Sequence, residues 1–382
     1  MNFQNATVYG TDFHFHENQT FAIKEGKFVP PDEAMDQAID CHGLYAIPGL
    51  IDLHTHGNSN VDFTKTTDPQ QYGVMMRYLA RKGITSCLFG STTASEEQLR
   101  NAFALGADYC DNPLPGAAYP HGFYMEGPFL SDEKKGAQLG NCLRKPDVNL
   151  FDRLNSAAKK KIRIVCIAPE TENALQFIHQ VSPGTVVSLA HTNADYDQAR
   201  EALEAGASHV THLFNAMPPL HHRKPGVVGA AWENPQTMVE LICDGIHVHP
   251  SMIKLTMALF GTHRVCFVSD SSFMCGLPDG AYMRDTRMVH MKDGLITLED
   301  GTIAGSATCL FEGLRRAISF GIDQEQAIRC ATWNPAKAIG VEKITGSIAP
   351  GLNADFVLCD KQFAIQAVYV KGIAVDKEAD IL

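Results

Sequence analysis

The run Ile51-Asp52-Leu53-His54-Thr55-His56-Gly57 sets two imidazoles two positions apart at the end of an apolar stretch. Successive side chains of a strand point to opposite faces, so His54 and His56 share one face, as a pair of metal ligands must. The same spacing recurs in His14-Phe15-His16 and His247-Val248-His249, so the spacing alone says little. The first of these follows no apolar run and reads as a solvated terminal segment. The weight comes from the residues that end other apolar runs. Glu126 ends Phe123-Tyr124-Met125-Glu126, His191 ends Ser188-Leu189-Ala190-His191 and Asp270 ends Phe267-Val268-Ser269-Asp270, while His212 lies in Val210-Thr211-His212-Leu213. One such residue would be read as a satisfied core side chain; six at equivalent places point to a common metal centre. Imidazole and carboxylate donors without thiolate suit Zn²⁺ or Fe²⁺. The chemistry of such a centre is hydrolysis by an activated water.

These residues converge only if the runs that carry them are neighbours. Eight short runs, 49–54, 84–89, 121–125, 162–168, 186–190, 210–214, 239–243 and 264–269, alternate with helical patterns at 69–81, 96–107, 149–161, 171–181 and 196–205. Asp68, Ser95 and Asp195 are N-cap types ahead of three of those patterns. Repeated strand–helix alternation implies a parallel sheet, and eight such strands close a (β/α)8 TIM-type barrel whose active site lies at the C-terminal strand ends. A doubly wound open sheet usually carries a Gly-rich phosphate turn after its first strand, and none is present here. Both chain ends instead hold short strand-like pieces, around 21–29 and around 355–372. They predict a small discontinuous β-sandwich domain from 1–48 and 345–382, flanking a hydrolase barrel at 49–344. Residues 272–303 read as an irregular insertion with hairpin character.

Composition bounds the partners. The 382 residues are 45% apolar, enough for a large core, and 32 basic against 43 acidic residues give a net charge of −11. A nucleic-acid partner would need the opposite balance. Nine of the sixteen histidines fall between His179 and His263, which again raises the question of metal. The eleven cysteines lie no closer than nine positions apart, so no CxxC pair exists, and they read as free structural thiols of a reducing compartment. The first residues lack the basic and apolar regions of a signal peptide, and no run approaches the length of a membrane span. The expected location is the cytoplasm.

The chain resembles the amidohydrolase superfamily and, within it, the N-acetylglucosamine-6-phosphate deacetylase family. The matching stretches are PGLIDLHTHG (48–57), EGPF (126–129) with KKGAQ (134–138), LAHTNA (189–194), THLFNAM (211–217), HHRKPG (221–226), DGIHVHP (244–250) and SDS (269–271). GTIAGS (301–306), NPAKAIG (334–340) and GSIAPGLNADFVL (346–358) extend the match, in order, over nearly the whole chain. The resemblance implies that His54 and His56 are the first ligand pair, Glu126 a carboxylate able to bridge two metals, and His191 and His212 the ligands of a second site. Asp270 matches the catalytic aspartate and also faces the metal.

Many binuclear superfamily members use a carbamylated Lys on the fourth strand, but here that strand ends Ala168-Pro169-Glu170. Glu126 therefore takes the bridging role. Some members replace the His pair by Gln and Asn and hold one metal; this chain keeps both histidines, which implies two metals, zinc or iron. For substrate, the resemblance implies Asn215, the Ala216 N–H, Arg223 and His247, with His222 nearby, around a sugar phosphate. The resemblance also implies a homodimer in which Arg223 reaches across the interface into the neighbouring subunit's site. Gln138 stands where some relatives have a His that contacts the substrate carbonyl; Gln can donate a hydrogen bond there but carries no charge. The implied reaction is deacetylation of N-acetylglucosamine 6-phosphate, with the galactosamine isomer or another amide as alternatives. A catalytically dead scaffold would have lost ligands, and all six are present.

Overall fold

Strands that end in polar residues and begin after Gly or a helix fold here into one closed layer. The computed structural model describes residues 1–34, 37–284 and 287–376. Numbered within the barrel, the strands are β1 (Leu50–Thr55), β2 (Ile84–Ser91), β3 (Tyr119–Met125), β4 (Ile162–Ile167), β5 (Val186–Leu189), β6 (His209–Val210), β7 (Met238–Ile242) and β8 (Val265–Val268). Each pairs in parallel with the next, in sequence order. Both faces are covered, which is why the runs read as continuously apolar rather than alternating. Closure is made beyond the ends of β1 and β8. Thr55 bridges Ser271 in parallel, Asp270 N–H donates to His54 O at 2.8 Å and His56 N–H donates to Ser271 O at 2.8 Å. The buried Asp52 reinforces this seam by accepting from the N–H groups of His54 and Ser269.

Helices α1 (Gln70–Arg81), α2 (Glu96–Asp111), α3 (Val148–Ala157), α4 (Ala174–Val181) and α5 (Tyr196–Glu204) fill the connections that the sequence pattern assigns to helix. Ser95 and Asp195 each form a capping box with the Gln three residues on. Helices α6 (Gly226–Glu233) and α7 (Pro250–Phe260) go beyond that pattern. In α6 every residue from Gly226 to Ala231 is buried, so no polar face marks its period. After β8 come α8 (Leu310–Ser319), α9 (Gln324–Ala331) and α10 (Trp333–Ala338). Strand β6 is shorter than the run 210–214, because the backbone turns left-handed at His212, Phe214 and Ala216.

Two further sheets flank the barrel. The chain ends join in an eight-stranded sheet that runs from Ile373–Ala374 through Ile365–Val370, Phe356–Cys359, Tyr45–Pro48, Asn2–Tyr9 and Phe15–Lys24 to Lys27–Val29, with Ala38–Asp40 beside Asn2–Tyr9. The sheet curls over until Lys27 bridges Asn353, and an aromatic cluster fills the fold. Phe356 packs on Tyr369, Phe3, Phe21 and Phe28 at centroid distances of 4.6 to 5.8 Å. The insertion is more regular than its sequence suggests: Gly280–Arg284, Arg287–Lys292, Leu295–Leu298 and Ile303–Ser306 form an antiparallel meander. Ser306 bridges Ser271, so the meander grows from the barrel seam and stands over the strand ends.

Phe356→Ala is expected to cost about 3–5 kcal/mol through the cavity it opens. A fall in the urea midpoint, with the metal content of the folded protein unchanged, checks that the aromatic cluster stabilises the sheet without shaping the barrel.

Candidate metal and substrate site

Four histidines meet one carboxylate at the open end of the barrel. His191 Nε2 and His212 Nε2 each lie 3.2 Å from Glu126 Oε1, His54 Nε2 lies 3.4 Å from the same oxygen, and His56 Nε2 lies 3.3 Å from Oε2. Asp270 Oδ1 stands 3.2 Å from His56 Nε2 and 3.6 Å from His54 Nε2. The ligand atoms of His54, His56 and Glu126 fall within 4.8 Å of one another, as do those of Glu126, His191 and His212. The six residues that the sequence singles out are thus brought together, with Glu126 common to two groups. His191, His212 and Asp270 have φ of 44°, 27° and 48°. Non-glycine residues held there cost about 1–3 kcal/mol each, strain typical of functional sites.

The imidazoles are oriented from behind. His54 Nδ1 donates to Glu240 Oε2 at 2.9 Å, His56 Nδ1 donates to Gly90 O at 3.1 Å and His191 Nδ1 donates to Lys134 O at 2.9 Å. A carbonyl oxygen only accepts, so Nδ1 carries a proton, and in the neutral imidazole, the form that a metal would hold, Nε2 keeps a lone pair. Those lone pairs then face one another, at 3.0 Å between His54 and His56 and 3.2 Å between His191 and His212. Nitrogen donors so close, around a buried carboxylate, fit a shared cation. The electrostatics agree. Burial opposes charge on His56, yet Asp270 and Glu126 lift its pKa to about 9. Burial equally opposes charge on Glu126, and His191 and His54 hold it well below the carboxylate range. The site asks for positive charge, which a divalent metal supplies.

Beside this centre lies a cavity of about 390 Å³, within the range of small-molecule sites. It is lined by Gln138, Asn215, Ala216, His247 and Asp270 together with Thr302 and Ile303 of the meander. Gln138 donates from Nε2 to Glu126 Oε2 and accepts from the Thr93 N–H at 2.7 Å, which leaves one amide hydrogen for a ligand. His247 Nδ1 bonds Asp244 Oδ2 at 2.6 Å. Burial disfavours its charge, but the bond to Asp244 outweighs that and raises its pKa. Its buried Nε2 has no partner among the described residues. His222 and Arg223 are exposed, bonded to each other at 2.7 Å, and do not line this chain's cavity. His14 and His16, and the second member of the 247/249 pair, serve elsewhere. His14 bonds Glu325 and His16 bonds Asp12 on the surface, and His249 caps α7.

Sequence reasoning missed Glu240, a fully buried acid that accepts from both His54 Nδ1 and, at 3.1 Å, the His212 N–H. The available signal was one charged residue within the apolar run Met238–Ile242. Glu240→Gln keeps the shape but removes the charge that fixes the His54 proton, and loss of such a partner typically lowers metal affinity about 10–100-fold. Metal titration of the chelator-stripped variant checks this.

A family model described as the amidohydrolase family matches residues 45–375. An N-acetylglucosamine-6-phosphate deacetylase of Vibrio furnissii is 35% identical over 328 residues, 85% of this chain and 82% of that protein. An N-acetylgalactosamine-6-phosphate deacetylase of Escherichia coli O157:H7 is 33% identical over 85% of this chain and 86% of that protein. Among solved structures, a variant of the Mycobacterium smegmatis N-acetyl-D-glucosamine-6-phosphate deacetylase, in complex with N-acetyl-D-glucosamine-6-phosphate, superposes with a TM-score of 0.90. It is 30% identical and covers 98% of this chain and 99% of its own. The metal-competent barrel, and relatives that span nearly its whole length, establish that the chain belongs to the amidohydrolase family.

Proposed function

We propose that this protein hydrolyses the N-acetyl group of N-acetyl-D-glucosamine 6-phosphate, giving glucosamine 6-phosphate and acetate, in the cytoplasmic breakdown or recycling of amino sugars. The observation that carries the reading is the convergence of four histidines and Asp270 on Glu126 beside a cavity of sugar size. Relatives named as deacetylases of this and the galactosamine isomer support the substrate class. His54, His56, Glu126, His191, His212 and Asp270 would hold two divalent ions, zinc or iron, per subunit. When bound, such ions polarise an amide carbonyl and lower the pKa of water from about 16 toward about 7.

The side chains do the rest. Asp270 takes the proton of the attacking water and delivers it to the departing amine, work for which a carboxylate beside the reacting atoms suffices. Its carboxyl is held below the usual range: burial opposes this, but His54 and His56 prevail, so it starts as a base. Gln138 offers its remaining amide hydrogen to the acetyl oxygen. His247 presents Nε2 to the sugar phosphate, alongside Asn215 and the Ala216 N–H, which has no backbone acceptor among the described residues. Arg223 completes the phosphate site from the neighbouring subunit of a homodimer, with His222 beside it; its exposure and distance from its own cavity support that assignment.

Asp270→Asn should lower kcat by about 10²–10⁴-fold while metal content, read by elemental analysis, stays near that of the parent. Full activity in this variant would sink the assignment. Arg223→Ala and Asp270→Asn homodimers should both be impaired on the 6-phosphate. If Arg223 acts across the interface, mixed dimers recover activity through the one site that joins a sound Asp270 to a sound Arg223. No recovery on mixing would place Arg223 outside the partner's site. Comparing kcat/KM on the glucosamine and galactosamine isomers separates the two substrate readings.

A further inference from the structure

Arg284 closes the first strand of the meander, Gly280–Arg284, and lines the same cavity as Glu126, Gln138 and His247. It is only 8% exposed, yet among the described residues no carboxylate pairs with its guanidinium and no acceptor takes a hydrogen bond from it. Arg264 shows what the fold does with such a group when the role is structural. It is equally buried, and its guanidinium donates to the carbonyls of Phe260, Ala231, Asn234 and Trp232. The Arg284 nitrogens are not sealed from solvent, so the guanidinium faces the cavity it lines, where it can pair with an anion. Beside a reaction centre, that anion is a ligand.

The position narrows the ligand. Arg284 also borders a narrower recess with Thr92, Thr93 and Gln138, residues that follow β2 and β3. Asn215 and Ala216 follow β6, and His247 follows β7, on the far side of the eight-stranded ring. The planar guanidinium fork matches carboxylate and phosphate oxygens, and it binds them more strongly when water is excluded.

We infer that Arg284 forms an oxyanion-binding subsite, supplied by the same chain, for an acidic group of the substrate on the side of the metal centre opposite Asn215 and His247. The inference rests on the proposed reading that the substrate is an acylated amino-sugar phosphate. The phosphate is already placed at Asn215 and His247, and Arg284 shares its recess with Gln138, which meets the acyl oxygen. The group expected at Arg284 is therefore a carboxylate at the end of the acyl chain; the phosphate itself at Arg284 is the outcome that would displace that placement.

The test uses the metal-loaded protein and its Arg284→Met and Arg284→Lys variants, with melting curves confirming the fold. Values of kcat/KM are measured on N-acetylglucosamine, its 6-phosphate and N-succinylglucosamine, which carries a free carboxylate on the acyl group. A charged hydrogen bond lost from a buried site is worth about tenfold or more. The expected result is a loss in Arg284→Met at least tenfold larger on one acidic substrate than on neutral N-acetylglucosamine, with partial recovery in Arg284→Lys. Selectivity against the 6-phosphate identifies the phosphate as the partner; selectivity against the succinyl compound identifies the acyl carboxylate. Equal losses on all three, or none, overturn the subsite. Calorimetric titration with inorganic phosphate and with succinate reads the same subsite without turnover. Binding of either anion that weakens in Arg284→Met upholds the subsite even if no sugar is cleaved. Titrations unchanged by the substitution count against it.

Discussion

A carboxylate buried as deeply as Glu126 must be compensated on every side, since stripping an ion of water costs several kcal/mol even after relaxation. Here the compensation comes from four imidazoles on three stretches: His54 at the end of β1 with His56 just after it, His191 after β5 and His212 after β6. Each has to be held at a distance of 3.2 to 3.4 Å, and most of the barrel rim follows from that demand. Glu240 fixes His54 and the backbone of His212 with a single oxygen. Gly90 leaves the room that His56 needs; a Cβ there would lie 2.8 Å from Thr55 O and 3.0 Å from His56 Nδ1. Glu170, at the end of the strand that has no Lys, binds Thr192 and the Asn193 N–H and so anchors the turn that carries His191.

The same demand explains where the backbone is strained. A parallel strand ends with its side chains still alternating, whereas ligands from several strands must all face one point. Left-handed turns at His191, His212 and Asp270 re-aim the chain within one residue. The strain persists because the neighbours over-determine it. The Asp270 N–H is tied to His54 O and its carbonyl to Ser306 N–H, so the seam that closes the barrel also presents the proposed base. Closure of the fold and placement of the reacting carboxylate are one set of hydrogen bonds.

How much of this could be read from sequence depends on whether the signal was local. Residue type at the end of an apolar run is local, and it located His54, His56, Glu126, His191 and Asp270. Cap chemistry is local too, and Ser95 and Asp195 marked their helices to the residue. Helix α6 escaped because burial on most sides erases the periodicity that marks a helix. Helix α7 buries only Ile253, Thr256, Met257 and Phe260, and apolar residues on its open face, such as Leu255, blur the contrast. Strand β6 was drawn too long because a left-handed turn at His212 has no signature in a non-glycine residue. Glu240 and Asp52 face inward from within strands, and only the partner across the barrel reveals what each one holds. The regular meander within 272–303 was likewise hidden, since its pairing with Ser271 joins segments far apart in the chain.

Metal and substrate are therefore handled by different parts of the molecule. The proposed metal ligands belong to the barrel and its immediate turns, where a displacement of a fraction of an ångström would matter. The cavity wall away from the metal comes from the segment that carries Gln138 and from the meander, with Arg284, Thr302 and Ile303. Neither supplies a strand to the barrel, but the segment that carries Gln138 also holds the centre, through Gln138 Nε2 on Glu126 and Lys134 O on His191 Nδ1, so of the two the meander is the freer to change. A net charge of −11 is no obstacle to an acidic substrate under this division. What an anion meets is the local field of His247, the proposed metal centre and the guanidinium of Arg284, in a recess where a few cations outweigh distant, screened surface charge. Hydrolytic chemistry is thus set by the barrel, and the choice of amide by the elements laid over its mouth.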